Sequence, residues 1–205
     1  MSNIPKADFG QPIKLGGGLF IRLESKGDKI KFRFAAGAVY EGKHFKKQNG
    51  NTIASFCPRI MADKDCADCT KYYEYRELMR AEENKEQKDA LDEEARKYKP
   101  KITFYYPILD REDGRAKILK TVITVRENLE AEVAAGVKVL DHDYVLTRIE
   151  KSPANYYSLV RSPETKEFTK EEQVEFEKAK ELKMEKILGH ITKESSLKIE
   201  PDKES

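Results

Sequence analysis

Three cysteines and one histidine form the pattern in this sequence with the clearest chemical meaning. Cys57, Cys66 and Cys69 are all the cysteines of the chain, and His44 precedes them. The intervals between the four residues are twelve, eight and two residues. A two-residue interval lets both thiolates of the last pair bind one ion, and zinc prefers four soft or borderline ligands in a tetrahedron. The pattern predicts one structural zinc ion in a Cys₃His site without an open position.

Other interpretations of the cysteines remain open at this point. A C-x-x-C pair also occurs in thioredoxin-like redox proteins, but there it follows a buried strand and begins a helix. Here Cys66 and Cys69 lie in a polar stretch with Asp63, Asp65 and Asp68. An odd number of cysteines does not favour a disulfide framework. The histidine could also be an ordinary surface residue.

Basic residues interleaved with aromatic residues form a second pattern. From residue 22 to residue 47 the chain has eight basic residues and three acidic ones. Lysines neutralise phosphates and aromatic rings stack on exposed bases, so this mixture favours a single-stranded nucleic acid. The alternative is that the rings belong to the core and the lysines only solvate the surface. The predicted DNA-binding residues are Lys29, Lys31, Arg33, Tyr40, Lys43, Phe45, Lys46, Lys47, Tyr72, Tyr105 and Arg148.

Composition limits the size of the core and the class of partner. The chain has 205 residues, of which 37% are charged and 39% hydrophobic, which leaves room for one domain and solvated appendages. Residues 163–205 hold nine lysines and twelve acidic residues, whereas the preceding part holds 30 basic and 25 acidic residues. A basic body is typical of proteins with a polyanionic partner. We find neither a long apolar run nor a signal peptide, so we expect a cytoplasmic protein that does not bind membranes.

Alternating segments on both sides of the cysteines predict the strands that must position them. Lys26-Gly27-Asp28 predicts a turn between the first two strands, and Asn49-Gly50 predicts a hairpin. Gly16 to Gly18 lack a complete phosphate-binding motif, so they are interpreted as part of a flexible arm. The predicted strands are Leu19–Glu24, Lys29–Ala35, Val39–Lys47, Thr52–Phe56, Lys101–Leu109, Ala116–Ile123, Tyr144–Lys151 and Asn155–Arg161.

Helix signals lie between and after these strands. A charge-rich segment predicts one long helix over residues 71–98, which ends before Pro100. Thr124 and Glu127 match a capping box, and a short helix should run to residue 135 before Gly136. A second capping box at Thr169 predicts a helix that ends near residue 189, and the last residues should be disordered.

These elements predict a mainly β, α+β fold with three parts. Residues 1–18 are a flexible N-terminal arm, and residues 19–162 form a core that resembles an OB-fold barrel. A zinc subdomain over about residues 40–99 is inserted in this core. Residues 163–205 form a C-terminal helix and a disordered tail.

The order and spacing of the four metal ligands resemble those of the gp32-like, helix-destabilising single-stranded DNA-binding proteins of T-even bacteriophages. The resemblance extends over roughly residues 15–162 and includes the stretch from Asp141 to Arg148. It implies an OB-fold core, a zinc subdomain and a DNA cleft lined by basic and aromatic residues. The family's basic cooperativity element is absent from residues 1–18, and its strongly acidic tail is also missing.

Together these observations predict a non-enzymatic, sequence-independent single-stranded DNA-binding protein. It would act in phage-type replication, recombination or repair, in the host cytoplasm if phage-encoded, and its C-terminal segment could bind replication or recombination proteins. The alternative is a zinc-ribbon adaptor that binds proteins only. A nuclease is disfavoured, because no compact group of Asp, Glu and His has metal-ligand spacing.

Overall fold

A computed structural model of the chain describes residues 18–149, 157–189 and 193–194. These residues form one nine-stranded mixed sheet with helices on both faces, which is an α+β arrangement. The strands are β1 Phe20–Ile21, β2 Lys29–Phe34, β3 Val39–Gln48, β4 Asn51–Phe56, β5 Lys101–Asp110, β6 Ala116–Thr121, β7 Asp143–Arg148, β8 Tyr157–Arg161 and β9 Lys193–Glu194. The helices are α1 Pro58–Ala62, α2 Ala67–Ala81, α3 Lys85–Tyr98, α4 Ile123–Ala134, α5 Lys170–Lys180 and α6 Met184–Leu188, with a 3₁₀ turn at Val139–Asp141.

The sheet is open in the described part of the chain. Its strand order is β1-β6-β5-β2-β7-β8, and no pairing joins β1 to β8 there. β2 pairs with the C-terminal end of β5, and β3 continues along the N-terminal half of β5. β4 and β9 pair with β3. The β3–β4 hairpin therefore extends from the end of the sheet.

The main core lies on one face of the sheet, where every second residue of β2, namely Ile30, Phe32 and Phe34, is buried. Phe32 and Phe34 are fully buried there, and Phe34 makes edge contacts with Tyr106 and Tyr144 at centroid distances of 5.1 and 5.4 Å. Helix α4 covers this face with Val125 and other apolar residues. Aromatic pairs in such geometry add about 0.5–1.5 kcal/mol each to the stability gained from burial.

The C-terminal helices cover the centre of the opposite face. Phe176 of α5 packs on Leu109 of β5, and Met184 of α6 packs on Tyr105 and Ile118.

The single long helix predicted over residues 71–98 is wrong, since two helices occupy this segment. α2 ends at Ala81 and α3 begins at Lys85. The Asn84 side chain accepts hydrogen bonds from the N–H groups of Glu86 and Gln87, which is an N-cap. The continuous charge pattern concealed this helix start.

Other helix predictions had mixed outcomes. The capping box at Thr169 is confirmed, but α5 ends at Lys180 and a separate α6 follows. The capping box at Thr124 is wrong, because α4 begins at Ile123 without a side-chain cap. Gly136 follows α4 with φ +77° as expected for a C-terminal stop.

The predicted strand at residues 19–24 is shorter than expected, since β1 holds only two residues. The predicted Asn49-Gly50 hairpin is present, and the remaining strands agree to within a few residues. Residues 1–17 of the predicted arm, residues 150–156 between and within the last two predicted strands, and residues 195–205 of the tail lie outside the described residues. None of the helices in the described segments has the length and apolarity that crossing a membrane requires.

Candidate metal centre and the adjoining basic face

The hairpin and two helix starts bring the four predicted ligands together. His44 lies in β3 opposite Ser55 of β4. Cys57 follows β4 and is the residue before α1, and Cys66 is the residue before α2, with Cys69 in the first turn of α2. A backbone hydrogen bond holds the end of β4 against β3, because the N–H of Cys57 donates to the carbonyl of Gly42 at 2.8 Å.

The four side chains are buried and adjacent. Their exposed fractions are 1% for His44, 0% for Cys57, 5% for Cys66 and 1% for Cys69. The Cys57 sulfur lies 3.9 Å from that of Cys66 and 3.3 Å from that of Cys69. The His44 Nε2 atom lies 3.3 and 3.6 Å from the sulfurs of Cys66 and Cys69. One metal ion at the centre can be bound by all four, since their ligand atoms lie within 4.8 Å of one another.

The short helix α1 is held close to β3 because residue 42 is glycine. A Cβ atom at Gly42 would lie 2.6 Å from the nearest side-chain carbon of Ile60. Ile60 in turn packs against the three cysteines. Pro58 begins α1, where its missing N–H costs nothing, and Asp63 ends the helix with φ 52°. The close approach of α1 to the backbone of β3 thus places Cys57 near His44.

The surroundings shift the pKa values of Cys69 and Cys66 in opposite directions. Burial, together with the neighbouring Cys57 and Cys66, raises the pKa of Cys69 to about 12. Burial also opposes ionisation of Cys66, but hydrogen bonds from the backbone and thiol of Cys69 outweigh it and lower the pKa of Cys66. A bound cation reverses this balance, because a coordinating thiol is deprotonated by the metal. The cluster therefore supplies four side chains that one metal ion can bind.

An ion pair ties the hairpin to the second cysteine pair. Lys46 of β3 binds Asp68, which lies between Cys66 and Cys69, with an N–O distance of 2.7 Å. Lys46 and His44 project on the same side of β3, away from Phe45. Lys46, one of the predicted DNA-binding residues, thus contacts the metal subdomain while its side chain remains 55% exposed.

The opposite side of the hairpin combines exposed rings with lysines. The turn residues Asn49 and Gly50 both have positive φ, 50° and 78°, as a two-residue hairpin turn requires. The register then sets Lys43 opposite Phe56 and Phe45 opposite Ala54. Phe45 is 39% exposed and Phe56 is 40% exposed.

Each of these rings lies against a lysine. The Lys43 ammonium is 4.7 Å from the Phe56 centroid, and the Lys101 ammonium is 5.1 Å from the Phe45 centroid. Lys101 pairs with Lys43 across β5 and β3, and Lys47 lies opposite Thr52 nearer the turn. We call Lys43, Phe45, Lys47, Phe56 and Lys101 the hairpin face.

Four predicted DNA-binding residues are instead used inside the protein. Arg33 binds the fully buried Asp143, its register partner on β7, at 2.8 Å, and it also donates to the backbone carbonyl of Lys166 in the segment before α5 at 2.9 Å. Tyr105 is 4% exposed. Arg148 donates to the backbone carbonyl of Leu23 at 2.6 Å. Tyr40 projects into the main core, where its ring is 5.7 Å from that of Phe104. Arg33 lies between the core residues Phe32 and Phe34 of β2, so its side chain is on the other side of the strand, where the C-terminal segment covers it.

The remaining predicted residues do not join the hairpin face. Lys29 is exposed and Lys31 is partly buried on β2. They lie on the same side of the sheet as the hairpin face, but α5 and α6 pack between the two ends. Tyr72 lies on α2, with its ring 5.4 Å from Tyr73. In the described part of the chain, the lysines of β2 and those of the hairpin face therefore do not line one groove.

Sequence reasoning missed two members of the hairpin face. Phe56 could have been found, because a two-residue turn at Asn49 and Gly50 fixes the register that places it opposite Lys43. Lys101 could not, since it comes from β5, which is more than fifty residues further along the chain.

No family model and no curated protein matches the chain. The function is therefore inferred from the geometry of these residues.

Proposed function

We propose that the protein is a zinc-stabilised, sequence-independent single-stranded DNA-binding protein. The observation that carries the proposal is the hairpin face, where two exposed phenylalanine rings lie among three lysines. Exposed rings cost solvation unless a ligand covers them, and base stacking on a ring contributes about 1–3 kcal/mol. Lysines beside the rings supply charge for the phosphates without selecting a sequence.

Zinc is the metal that suits the centre best. A tetrahedron with zinc–sulfur distances of about 2.3 Å and zinc–nitrogen distances of about 2.0 Å has edges of roughly 3.8 Å between sulfurs and roughly 3.5 Å between sulfur and nitrogen. The sulfur–sulfur distances of 3.3 and 3.9 Å and the nitrogen–sulfur distances of 3.3 and 3.6 Å are close to these edges. Four protein ligands leave no open position, so the zinc ion stabilises the fold and holds the hairpin.

The biological setting in the proposal comes from the resemblance to the gp32-like family. It comprises a phage-type role in replication, recombination or repair, and a core related to the OB-fold. Supporting the core relationship, β5 pairs with β6 on one edge and with β2 and β3 in succession on the other. We expect no catalytic activity, and expect replication or recombination proteins as partners of the C-terminal segment.

Removal of the Phe45 ring tests whether bases stack on the hairpin face. We expect Phe45→Ala to weaken oligo-dT binding by about 1–3 kcal/mol, measured by fluorescence titration, while the salt dependence of the affinity stays nearly unchanged. Ile53→Ala is the matched control, because Ile53 is 48% exposed on the opposite side of the same hairpin. Equal losses in the two variants, with fold and zinc content intact, would refute stacking on this face.

A protein adaptor is the second candidate function, because the α2–α3 pair has an apolar groove. The groove has a volume of about 540 Å³ and includes Leu78 and Leu91. Leu78 is 55% exposed. Binding of oligo-dT that is no tighter than binding of a duplex of equal length would favour the adaptor.

A further inference from the structure

Lys120 lies beside the hairpin face and was not selected by sequence analysis. The register of β5 and β6 places it opposite Tyr105, and Tyr105 lies opposite Val39 of β3. Because side chains alternate along each strand, Lys120 is on the same side of the sheet as Lys43 and Phe45.

Arg22 belongs to the same neighbourhood. β1 pairs in parallel with β6, with Ile21 opposite Leu119, so Arg22, which directly follows β1, comes next to Lys120, which follows Leu119. Arg22 is exposed, and Lys120 is partly buried.

The buried carboxylate of Glu41 lies among these cations. Glu41 is 4% exposed. Its Oε1 atom accepts hydrogen bonds from the Tyr105 hydroxyl and from the Lys43 ammonium, each at 2.9 Å. The Lys120 ammonium lies 5.7 Å from the Tyr105 ring centroid. Tyr105 thus places Lys120 near Glu41 while its own hydroxyl binds that carboxylate.

The positive charges of Arg22, Lys43 and Lys120 exceed the negative charge of Glu41. Burial has the largest effect and lowers the pKa of Lys120, and the charge of Arg22 lowers it further. Glu41 raises this pKa by less than Arg22 lowers it, and Lys43 has the smallest, lowering effect. Among the residues that the structure describes, no carboxylate lies within ion-pair distance of the Lys120 ammonium. Lys117 on the same strand, by contrast, binds Asp110 and Asp113. An anion would therefore stabilise the charged form of Lys120.

We propose that Arg22, Lys43 and Lys120 form a subsite for one phosphodiester group of a single-stranded nucleic acid. The inference deepens the proposed function and rests on it. Lys47, near the hairpin turn, is eight residues along β3 from the level of Lys120, a distance of roughly 26 Å at about 3.3 Å per residue. The subsite thus extends the hairpin face into a path that suits the roughly 4–16 nucleotides covered by one such domain.

The salt dependence of affinity tests the subsite. For Lys120→Gln we expect the slope of log affinity against log salt for oligo-dT to decrease by about 0.7, the value for one lost phosphate contact on a single strand. If both proteins reach the same affinity at about 1 M salt, this amounts to about eightfold weaker binding at about 50 mM. Lys120→Arg should restore the slope. Lys88→Gln, on the exposed side of α3, is the matched control and should leave it unchanged.

Each alternative outcome overturns a defined part of the reasoning. An unchanged slope in Lys120→Gln, with wild-type binding to oligo-dT intact, overturns the subsite and leaves the proposed function standing. Failure of the wild type to bind oligo-dT overturns both. Acylation of Lys120, followed by mass spectrometry, should be suppressed by oligo-dT more than by inorganic phosphate at the same phosphate concentration. Equal suppression would assign the subsite to free phosphate and overturn the nucleic-acid ligand.

Discussion

Removal of the metal should unfold the same unit as removal of one of its ligands. The centre joins β3, α1 and α2 through side chains that are at most 5% exposed, so its loss leaves buried thiols without a partner. A metal concentration about 1,000 times its dissociation constant stabilises the folded state by about 4 kcal/mol. For a chain of this size that corresponds to a fall in melting temperature of roughly 8–16 °C on chelation.

The assay is a melting curve followed by circular dichroism, with and without chelator, on wild-type protein and on Cys66→Ser. Zinc content would be measured by elemental analysis. Wild type should contain one zinc ion per chain and lose the stated stability with chelator. Cys66→Ser should melt at the lower temperature already, and chelator should lower it little further, because both changes remove the same interaction.

The control for this prediction is a histidine outside the metal centre. His142→Gln should keep the metal and the chelator effect, since His142 contacts Thr165 and is not part of the centre. If wild type contains no zinc and chelator leaves its melting temperature unchanged, the metal has no role in stability. The same conclusion follows if chelator still destabilises Cys66→Ser by the full wild-type amount.

Three further predictions concern other parts of the fold. Asp143→Ala should lower the free energy of unfolding in urea by about 3–5 kcal/mol, because it leaves the buried Arg33 without its carboxylate; a loss below about 1 kcal/mol would contradict the role of this pair. Gly42→Ala should cost about 1–3 kcal/mol and weaken zinc retention, because the new Cβ meets Ile60; unchanged stability would show that α1 can move away freely. Oligo-dT affinity should fall as the pH rises through the lowered pKa of Lys120, because only the charged amine attracts phosphate, and Lys120→Arg should remove that part of the decline; an identical pH profile in the variant would contradict the assignment.

The metal ligands and the hairpin could be predicted from the sequence because their geometry is local. The interval between Cys66 and Cys69 is short enough to set two ligands on one ion, and Asn49-Gly50 fixes the register that turns His44 towards them. Contacts between distant segments could not be predicted in this way. Arg33 alternates with core residues as expected, yet its partner Asp143 lies 110 positions further along the chain.

The break between α2 and α3 was missed for a different reason. Charged residues favour a helix on both sides of the break, so the pattern alone predicts one helix. The signal was Asn84, whose side chain caps α3 and competes with a continuous helix. The OB-fold-like class rested on strand lengths, which do not determine whether a sheet closes.

Preference for single-stranded over double-stranded DNA can be measured in one titration. Wild-type protein with its zinc content verified would be titrated with oligo-dT and with a duplex of equal length, at several salt concentrations. We expect tighter binding to the single strand, with an affinity that falls steeply as salt increases because lysines neutralise phosphates. Equal affinity for the two ligands, or no measurable binding to oligo-dT at low salt, would contradict it.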